Sequence, residues 1–136
     1  MALKITNATA DTMLTALATS LNSGFVRIYS GTEPATADTA LAGNTLLAQL
    51  SFGTTAFATA TASGADRIIT ANAITQDSSA DADGTATFFR ALTTGAVTVY
   101  QGTVGTSGQQ LNLTATNIVA GGVVSVSSLS ITLPTA

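Results

Sequence analysis

The sequence predicts a mainly β protein: an antiparallel β-sandwich of jelly-roll or immunoglobulin-like type with one N-terminal α-helix. Short segments that alternate apolar and polar residues recur along the chain, as half-buried strands do. Glycine-containing and Asp/Ser-rich turns separate them. Only one segment repeats its apolar residues at helical spacing: about residues 8–22, after a short extended arm at residues 1–6. The 136 residues fit a single domain, and no linker or internal repeat divides them.

The predicted helix has recognisable signals at both ends. Thr6 or Asn7 can cap its first turn, and Asp11 is expected near the N-terminus, where a negative charge suits the helix dipole. Gly24 is expected to end the helix in a left-handed conformation. The stripe expected to face the core consists of Ala10, Met13, Leu14, Leu17 and Leu21.

Alternating patterns and turn residues define the strands. The predicted strands cover residues 25–29, 46–52, 67–74, 85–92, 97–101, 111–113 and 123–133. Asp83-Gly84 favours a type I′ turn, and the strands at 85–92 and 97–101 are spaced as a hairpin. The alternation changes phase at Ser127-Ser128, which predicts a bulge or a strand that passes between sheets. Residues 35–44 have no strand period and are predicted to form a surface loop that tolerates insertion.

The composition points to assembly and away from nucleic acid or membrane. Only 8% of the residues are charged, against about 25% in typical domains. The four basic residues are scattered, whereas nucleic-acid binding needs clustered ones. We find no apolar run of the length a membrane span needs, and the N-terminus is too polar for a signal peptide. Because a surface with so few charges is poorly soluble alone, we expect much of it to pack against neighbouring subunits.

Catalytic chemistry is difficult to build from these residues. The chain has no histidine and no cysteine, which removes the usual general bases, thiolate nucleophiles and zinc ligands. Paired carboxylates could in principle cleave glycosides, but the carboxylates here lie in predicted loops or crowd one turn. We therefore expect no enzyme activity, no catalytic residues and no cofactor.

The crowded turn at residues 77–83 resembles half of an EF-hand loop. Asp81 and Asp83 precede Gly84 with the right spacing, but Arg90 occupies the position where calcium needs a bidentate glutamate. We therefore predict no metal site, and expect the Asp and Ser side chains to bind their own backbone.

Arg67 and Arg90 are each expected to have a defined partner in so weakly charged a chain. Each could pair with a carboxylate of residues 77–83, or form a bidentate contact across a subunit boundary. The arm and the C-terminal tail could also pair with a neighbour's sheet edge. The candidate assembly-interface residues are Leu3, Ile5, Arg67, Arg90 and Pro134.

Four turn and strand motifs follow one another in a fixed order. They are a Gly-x-x-Pro loop (Gly31, Pro34) before Leu46-Leu47, a turn at residues 80–86 before Phe89-Arg90, a Gly-x-Val-Gly-x-Ser-Gly turn at residues 102–108, and a Gly-Gly turn at 121–122 before the closing strand. This order resembles a family of small virion structural proteins of tailed bacteriophages and prophages. Phe88-Phe89 stands where Trp-Phe is more usual. The motifs relate to fold, so no functional residues carry over.

The resemblance implies a capsid decoration (cement) protein. Such a protein would be made in the bacterial host cytoplasm and would bind the major capsid protein on the outer surface of the mature head, as a symmetric homo-oligomer for which we predict a trimer. A tail or neck component is the first alternative. A carbohydrate-binding adhesion module is the second, although the chain has no tryptophan and only two tyrosines for sugar stacking.

Overall fold

One helix and ten strands form the regular structure in the part of the chain that the computed structural model describes, residues 3–135. The elements are α1 (Asn7–Ser20), β1 (Phe25–Tyr29), β2 (Leu46–Ser51), β3 (Thr61–Ser63), β4 (Asp66–Thr70), β5 (Gly84–Thr85), β6 (Phe88–Leu92), β7 (Thr98–Gly105), β8 (Leu111–Leu113), β9 (Asn117–Ile118) and β10 (Val126–Pro134). The predicted mainly β fold with one N-terminal helix is confirmed.

Eight strands form one sheet in the order β2–β1–β6–β7–β8–β10–β4–β3, and β5 pairs separately with β9. All neighbours in the large sheet are antiparallel except β7 and β8. The chain that follows β4 leaves β10 and pairs with β2 through Ser51 and Thr75. This segment connects β2, one edge of the sheet, to β4, which lies next to the other edge strand β3, so the sheet curves around the core. Its division into the two layers of a jelly-roll or immunoglobulin-like sandwich remains a prediction.

Apolar side chains from most strands meet in one core. Its fully buried members include Val26, Ile28, Leu47, Leu50, Phe89, Leu111, Leu113 and Leu129. The helix adds Leu14, its C-cap residue Leu21 is also buried, and the helix lies against β4 and β10. Fully burying one such side chain stabilises the fold by roughly 1.5–3 kcal/mol.

The helix begins as predicted but differs in three details. The Thr6 side chain accepts a hydrogen bond from the Thr9 N–H at 3.1 Å and caps the helix. Met13 is 50% exposed, because the helix meets the sheet along a narrow line and Met13 lies beside it. Asp11 is the fifth helical residue, too far from the helix terminus to serve the dipole.

Ser23, not Gly24, adopts the left-handed conformation at the end of the helix, with φ of 59°. Gly24 is needed for space, because a Cβ there would collide with the Leu92 carbonyl oxygen.

The Asp83-Gly84 turn prediction is wrong. Neither residue has a positive φ, and Gly84 begins β5. A Cβ on Gly84 would lie 2.9 Å from Leu47 Cδ2, so glycine permits a close approach rather than a turn. The predicted strand at 85–92 is divided, because β5 pairs with β9 whereas β6 pairs with β1 and β7.

Other strand predictions are confirmed, with changed lengths. The β6–β7 hairpin forms, and β7 continues to Gly105, so the first half of the glycine motif at 102–108 is strand. The pairing of β10 with β8 shifts register between Val126 and Ser128, as the change of phase predicts. The first half of β10 pairs with β8 and the second half with β4. The strand predicted at 67–74 ends at Thr70, where the chain begins to cross toward β2.

Candidate functional site

Two arginines lie side by side on the sheet face opposite the core. Arg27 of β1 and Arg90 of β6 are direct cross-strand neighbours, with Gln49 and Gln101 next to them on the flanking strands. Arg27 Nε donates to Gln49 Oε1 at 2.7 Å, and Arg90 Nε donates to Gln101 Oε1 at 3.2 Å. The two guanidinium groups are thus held by amide oxygens, and among residues 3–135 neither forms an ion pair with a carboxylate.

The segment between β1 and β2, residues 30–45, covers this face. Arg90 Nη2 donates to the Thr39 carbonyl oxygen, and Gln101 Nε2 donates to the Pro34 carbonyl oxygen at 2.8 Å. Phe88 on the same face is fully buried. The surface loop predicted at 35–44 is therefore present and is anchored at Thr39, and its tolerance to insertion stays a prediction.

Arg90 does not fit either predicted role. It is only 7% exposed, its partners lie within the chain, and none is a carboxylate of residues 77–83. With its guanidinium covered by residues 30–45, Arg90 presents almost no surface for a contact across a subunit boundary. The sequence pattern gave no sign of this, because Thr39 lies far from Arg90 along the chain.

Arg67 also has an intramolecular partner, but a different one from the predicted acidic turn. Its Nε lies 2.7 Å from Asp11 Oδ1, and its Nη2 lies 3.1 Å from Asp11 Oδ2. This bidentate pair joins β4 to α1. Both arginines of the predicted interface are therefore engaged in holding the fold together.

The aspartates of the acidic turn bind main-chain groups, but only one of these bonds, from Ser79 to Asp77, lies within the turn as predicted. Asp77 Oδ1 accepts from the Ser79 N–H at 2.9 Å, and Asp77 Oδ2 accepts from the Gln49 N–H at 3.0 Å. Asp83 Oδ1 accepts from the Ala120 N–H at 2.7 Å. In the described part of the chain, no three potential metal-binding side chains come together.

The two chain ends lie together. The Ile5 N–H donates to the Thr135 carbonyl oxygen at 3.0 Å, and the Thr135 hydroxyl donates to the Ala65 carbonyl oxygen at 2.7 Å. Pro134 is exposed at the end of β10, opposite Asp66. Leu3 is 85% exposed and remains the most accessible of the predicted interface residues. Met1 and Ala2 of the predicted arm, and Ala136, lie outside the described residues.

Further large apolar side chains are exposed that the sequence patterns did not identify. Besides Leu3, the exposed set is Met13, Leu41, Val97, Val119 and Val123. Val119 and Val123 flank the tight turn at Gly121, whose φ is 81°. The Gly-Gly turn between them was the available signal, although the sequence pattern places Val123 at the start of the strand predicted at 123–133 and the structure leaves it outside β10.

A cleft opens between β7 and β10, because β8 is too short to separate them along their full length. Its volume is about 460 Å³. Its lining includes Leu17, Tyr100, Gln101, Gln110, Ile131 and Thr132. A second groove of about 440 Å³ shares Tyr100, Gln101 and Gln110 with the cleft and extends to Glu33.

Tyr100 lies at the junction of the two cavities. Its ring packs edge-on against Phe89, with centroids 5.5 Å apart. Its hydroxyl is buried and has no hydrogen-bond partner among the described protein atoms. Burial raises the pKa of Tyr100 above its ordinary range, because the phenolate would lose its hydration.

Within residues 3–135, the helix is not long and apolar enough to cross a lipid bilayer. Comparison of the chain with protein-family models, with curated proteins and with solved structures found no match in any of the three.

Proposed function

We propose that this chain is a structural protein of a tailed-bacteriophage virion, a capsid decoration protein that binds the outer surface of the mature head. The observation that carries the proposal is the surface itself. Large apolar side chains, among them Leu3, Val97, Val119 and Val123, are at least 60% exposed in a chain with only 8% charged residues. Isolated exposed apolar residues are ordinary, but a charge-poor surface that carries several suits contact with other subunits. The resemblance of the turn and strand motifs to tailed-bacteriophage virion proteins is the reason for placing this contact in a virion.

The proposed mechanism combines many weak contacts, and the symmetry of the oligomer repeats each of them in every subunit. Each subunit would contribute apolar and main-chain contacts to the major capsid protein, and a homo-oligomer, here a trimer, would bind through several subunits at once. Such a role requires a rigid subunit. The Arg67–Asp11 pair and the anchored segment at residues 30–45 support that requirement.

The ionisable side chains favour a structural role over catalysis. Asp11, Asp77 and Asp83 are bonded to Arg67 or to main-chain N–H groups, and Arg90 is bonded to a carbonyl and an amide oxygen. These contacts hold the fold, and they engage these four side chains in structural bonds.

The tyrosines do not favour the carbohydrate-binding alternative. Tyr29 is 5% exposed and stacks on Phe88, with ring centroids 5.3 Å apart. Tyr100 packs against Phe89. Tyr29 therefore presents no open aromatic face on which a sugar could stack, whereas Tyr100 is partly exposed in the cleft and the groove. Calorimetric titration with host-surface glycans would show heat of binding if this alternative were correct.

The copy number of this chain in purified virions tests the proposal. Quantitative mass spectrometry would measure it against the major capsid protein. As many chains as capsid subunits would support decoration of the head lattice. A small fixed number far below that would indicate the tail or neck alternative. Absence from particles would overturn the virion role.

A further inference from the structure

The strands on either side of the cleft direct main-chain hydrogen-bonding groups into it. In β7, the Val104 N–H donates to Thr87 beside β6, so the alternation of the strand points the N–H and C=O of Gln101 away from β6. In β10, the Leu129 carbonyl accepts from Ala71 on the β4 side, so the groups of Thr132 point away from β4. Gln101 and Thr132 line the same cleft.

An extended peptide segment fits this geometry. It would continue the line of β8 and could bond to Gln101 on one side and to Thr132 on the other, which is strand addition to an open edge. Its inward side chains would meet Leu17, Tyr100 and Ile131, which calls for apolar residues. Its outward side chain would face the groove that contains Glu33, which calls for a basic residue.

The N-terminal arm has this pattern. Leu3, Lys4 and Ile5 alternate apolar, basic and apolar, and they precede the helix without being part of a helix or a strand of their own chain. Lys4 is the only lysine of the chain and Glu33 is the only glutamate. Within its own chain the arm lies outside the cleft, because Ile5 is bonded to Thr135 and Leu3 is 85% exposed.

We propose that the cleft between β7 and β10 binds residues 3–5 of a second copy of this chain. Leu3 and Ile5 enter the cleft of the receiving copy, where the Ile5 N–H exchanges its bond to Thr135 for one to a cleft strand, and Lys4 pairs with Glu33 of that copy. The arm and the cleft are different surfaces, so the contact is head-to-tail and closes into a ring such as a trimer, or is exchanged reciprocally in a dimer. The inference rests on one part of the proposed function, the self-association of the chain, and does not depend on its binding to the capsid.

Disulfide trapping tests the proposal directly, because the chain contains no cysteine. Lys4→Cys combined with Thr132→Cys places two exposed thiols on the outward side of the proposed strand pair. Mild oxidation is expected to give covalent oligomers on a non-reducing gel. Lys4→Cys with Val123→Cys is the control, since Val123 is 60% exposed but lies outside the cleft. Equal cross-linking in the two variants, or only a monomer with an internal disulfide, would overturn the proposal.

Charge reversal gives a second, independent measurement. Lys4→Glu and Glu33→Lys are each expected to weaken self-association by on the order of fivefold in analytical ultracentrifugation, because each places like charges together. The double variant restores the pair and is expected to recover most of the affinity. Leu3→Asp is expected to weaken association by tenfold or more, on the order of the value of burying one leucine. Val97→Asp, at a comparably exposed valine, is the control.

The outcomes separate this inference from the proposed function. A chain that is abundant on virions but monomeric in solution at every concentration tested would overturn the arm contact alone. A chain that is absent from virions but cross-links through positions 4 and 132 would retain the arm contact and overturn the capsid role. Single charge reversals without effect, or without recovery in the double variant, would exclude the Lys4–Glu33 pairing.

Discussion

Arg67 of β4 donates two hydrogen bonds to the carboxylate of Asp11 in the helix, from Nε to Oδ1 at 2.7 Å and from Nη2 to Oδ2 at 3.1 Å. Because the side chains are 17% and 37% exposed, solvent weakens the pair without removing it. Among the described residues, this pair is the salt bridge that joins the helix to the sheet.

A double-mutant cycle should measure this connection. We expect Asp11→Asn and Arg67→Met to be coupled by about 0.5–1 kcal/mol in urea denaturation, with the coupling falling as salt is added. Asp38→Asn is the control, since Asp38 is exposed on the segment between β1 and β2. Coupling near zero at low salt would show that the pair does not stabilise the helix on the sheet.

Replacing Arg90 should release the segment at residues 30–45. Arg90→Met leaves the Thr39 carbonyl and Gln101 amide without their buried donor, so we expect a loss of about 2–3 kcal/mol in the free energy of unfolding. Thermolysin should then cleave within residues 35–44 faster than in the wild type. Arg27→Met is the matched control: its side chain bonds Gln49 on the same face, and its loss should leave the segment protected. Equal cleavage of the two variants would contradict the anchoring role of Arg90.

The buried Tyr100 hydroxyl should make the protein sensitive to alkali. A tyrosine whose pKa is raised in the folded state loses its proton first in the unfolded chain, whose pKa is about 10. The contribution of protonated Tyr100 to the free energy of unfolding is therefore fully present below about pH 10 and falls as pH rises beyond it. Tyr100→Phe should remove this part of the pH dependence. It should also leave stability at pH 7 unchanged or about 1 kcal/mol higher, since it deletes a buried hydroxyl without a partner. Denaturation curves at pH 7 and above pH 10 would measure both effects, and an identical decline in wild type and variant would contradict them.

Asn112 should be needed for the unusual pairing of β7 with β8. Parallel neighbours normally require a crossover of about a dozen residues or more, yet only residues 106–110 connect these strands. The Asn112 side chain accepts from the Gln109 N–H and donates to the Gln109 carbonyl, both at 3.1 Å, and also donates to Ser128 Oγ at 2.9 Å. We expect Asn112→Ala to cost about 1–2 kcal/mol in urea denaturation. Asn72→Ala, which removes a single bond to Thr55, should cost less. An Asn112→Ala cost no greater than that of Asn72→Ala would mean that Asn112 does not hold the connection.

Much of the local structure follows from the sequence because the signals are local. The boundaries of β1 match the prediction, since alternation and flanking turn residues define them within a few positions. The cap at Thr6, the β6–β7 hairpin and the irregularity of β10 follow for the same reason.

The candidate site could be predicted only in part. Leu3 was identified from the arm as an interface candidate and is exposed, but the cleft it is proposed to enter gave no local signal. That cleft exists because β8 is short and β7 and β10 continue past it, which depends on pairing among three strands. Single-strand patterns carry no information on which edges remain unpaired.

By itself, the sequence determined the fold class, the helix, most strands and the shortage of charge, because these depend on residue type and short-range periodicity. The tertiary structure alone decided the partners of Arg67 and Arg90, the role of Gly84 and the position of the cleft. Each of these depends on residues far apart in the chain, such as Arg90 with Thr39 and Gly84 with Leu47. Such contacts arise when the sheet curves around its core, and only then does a side chain acquire its burial and its partner.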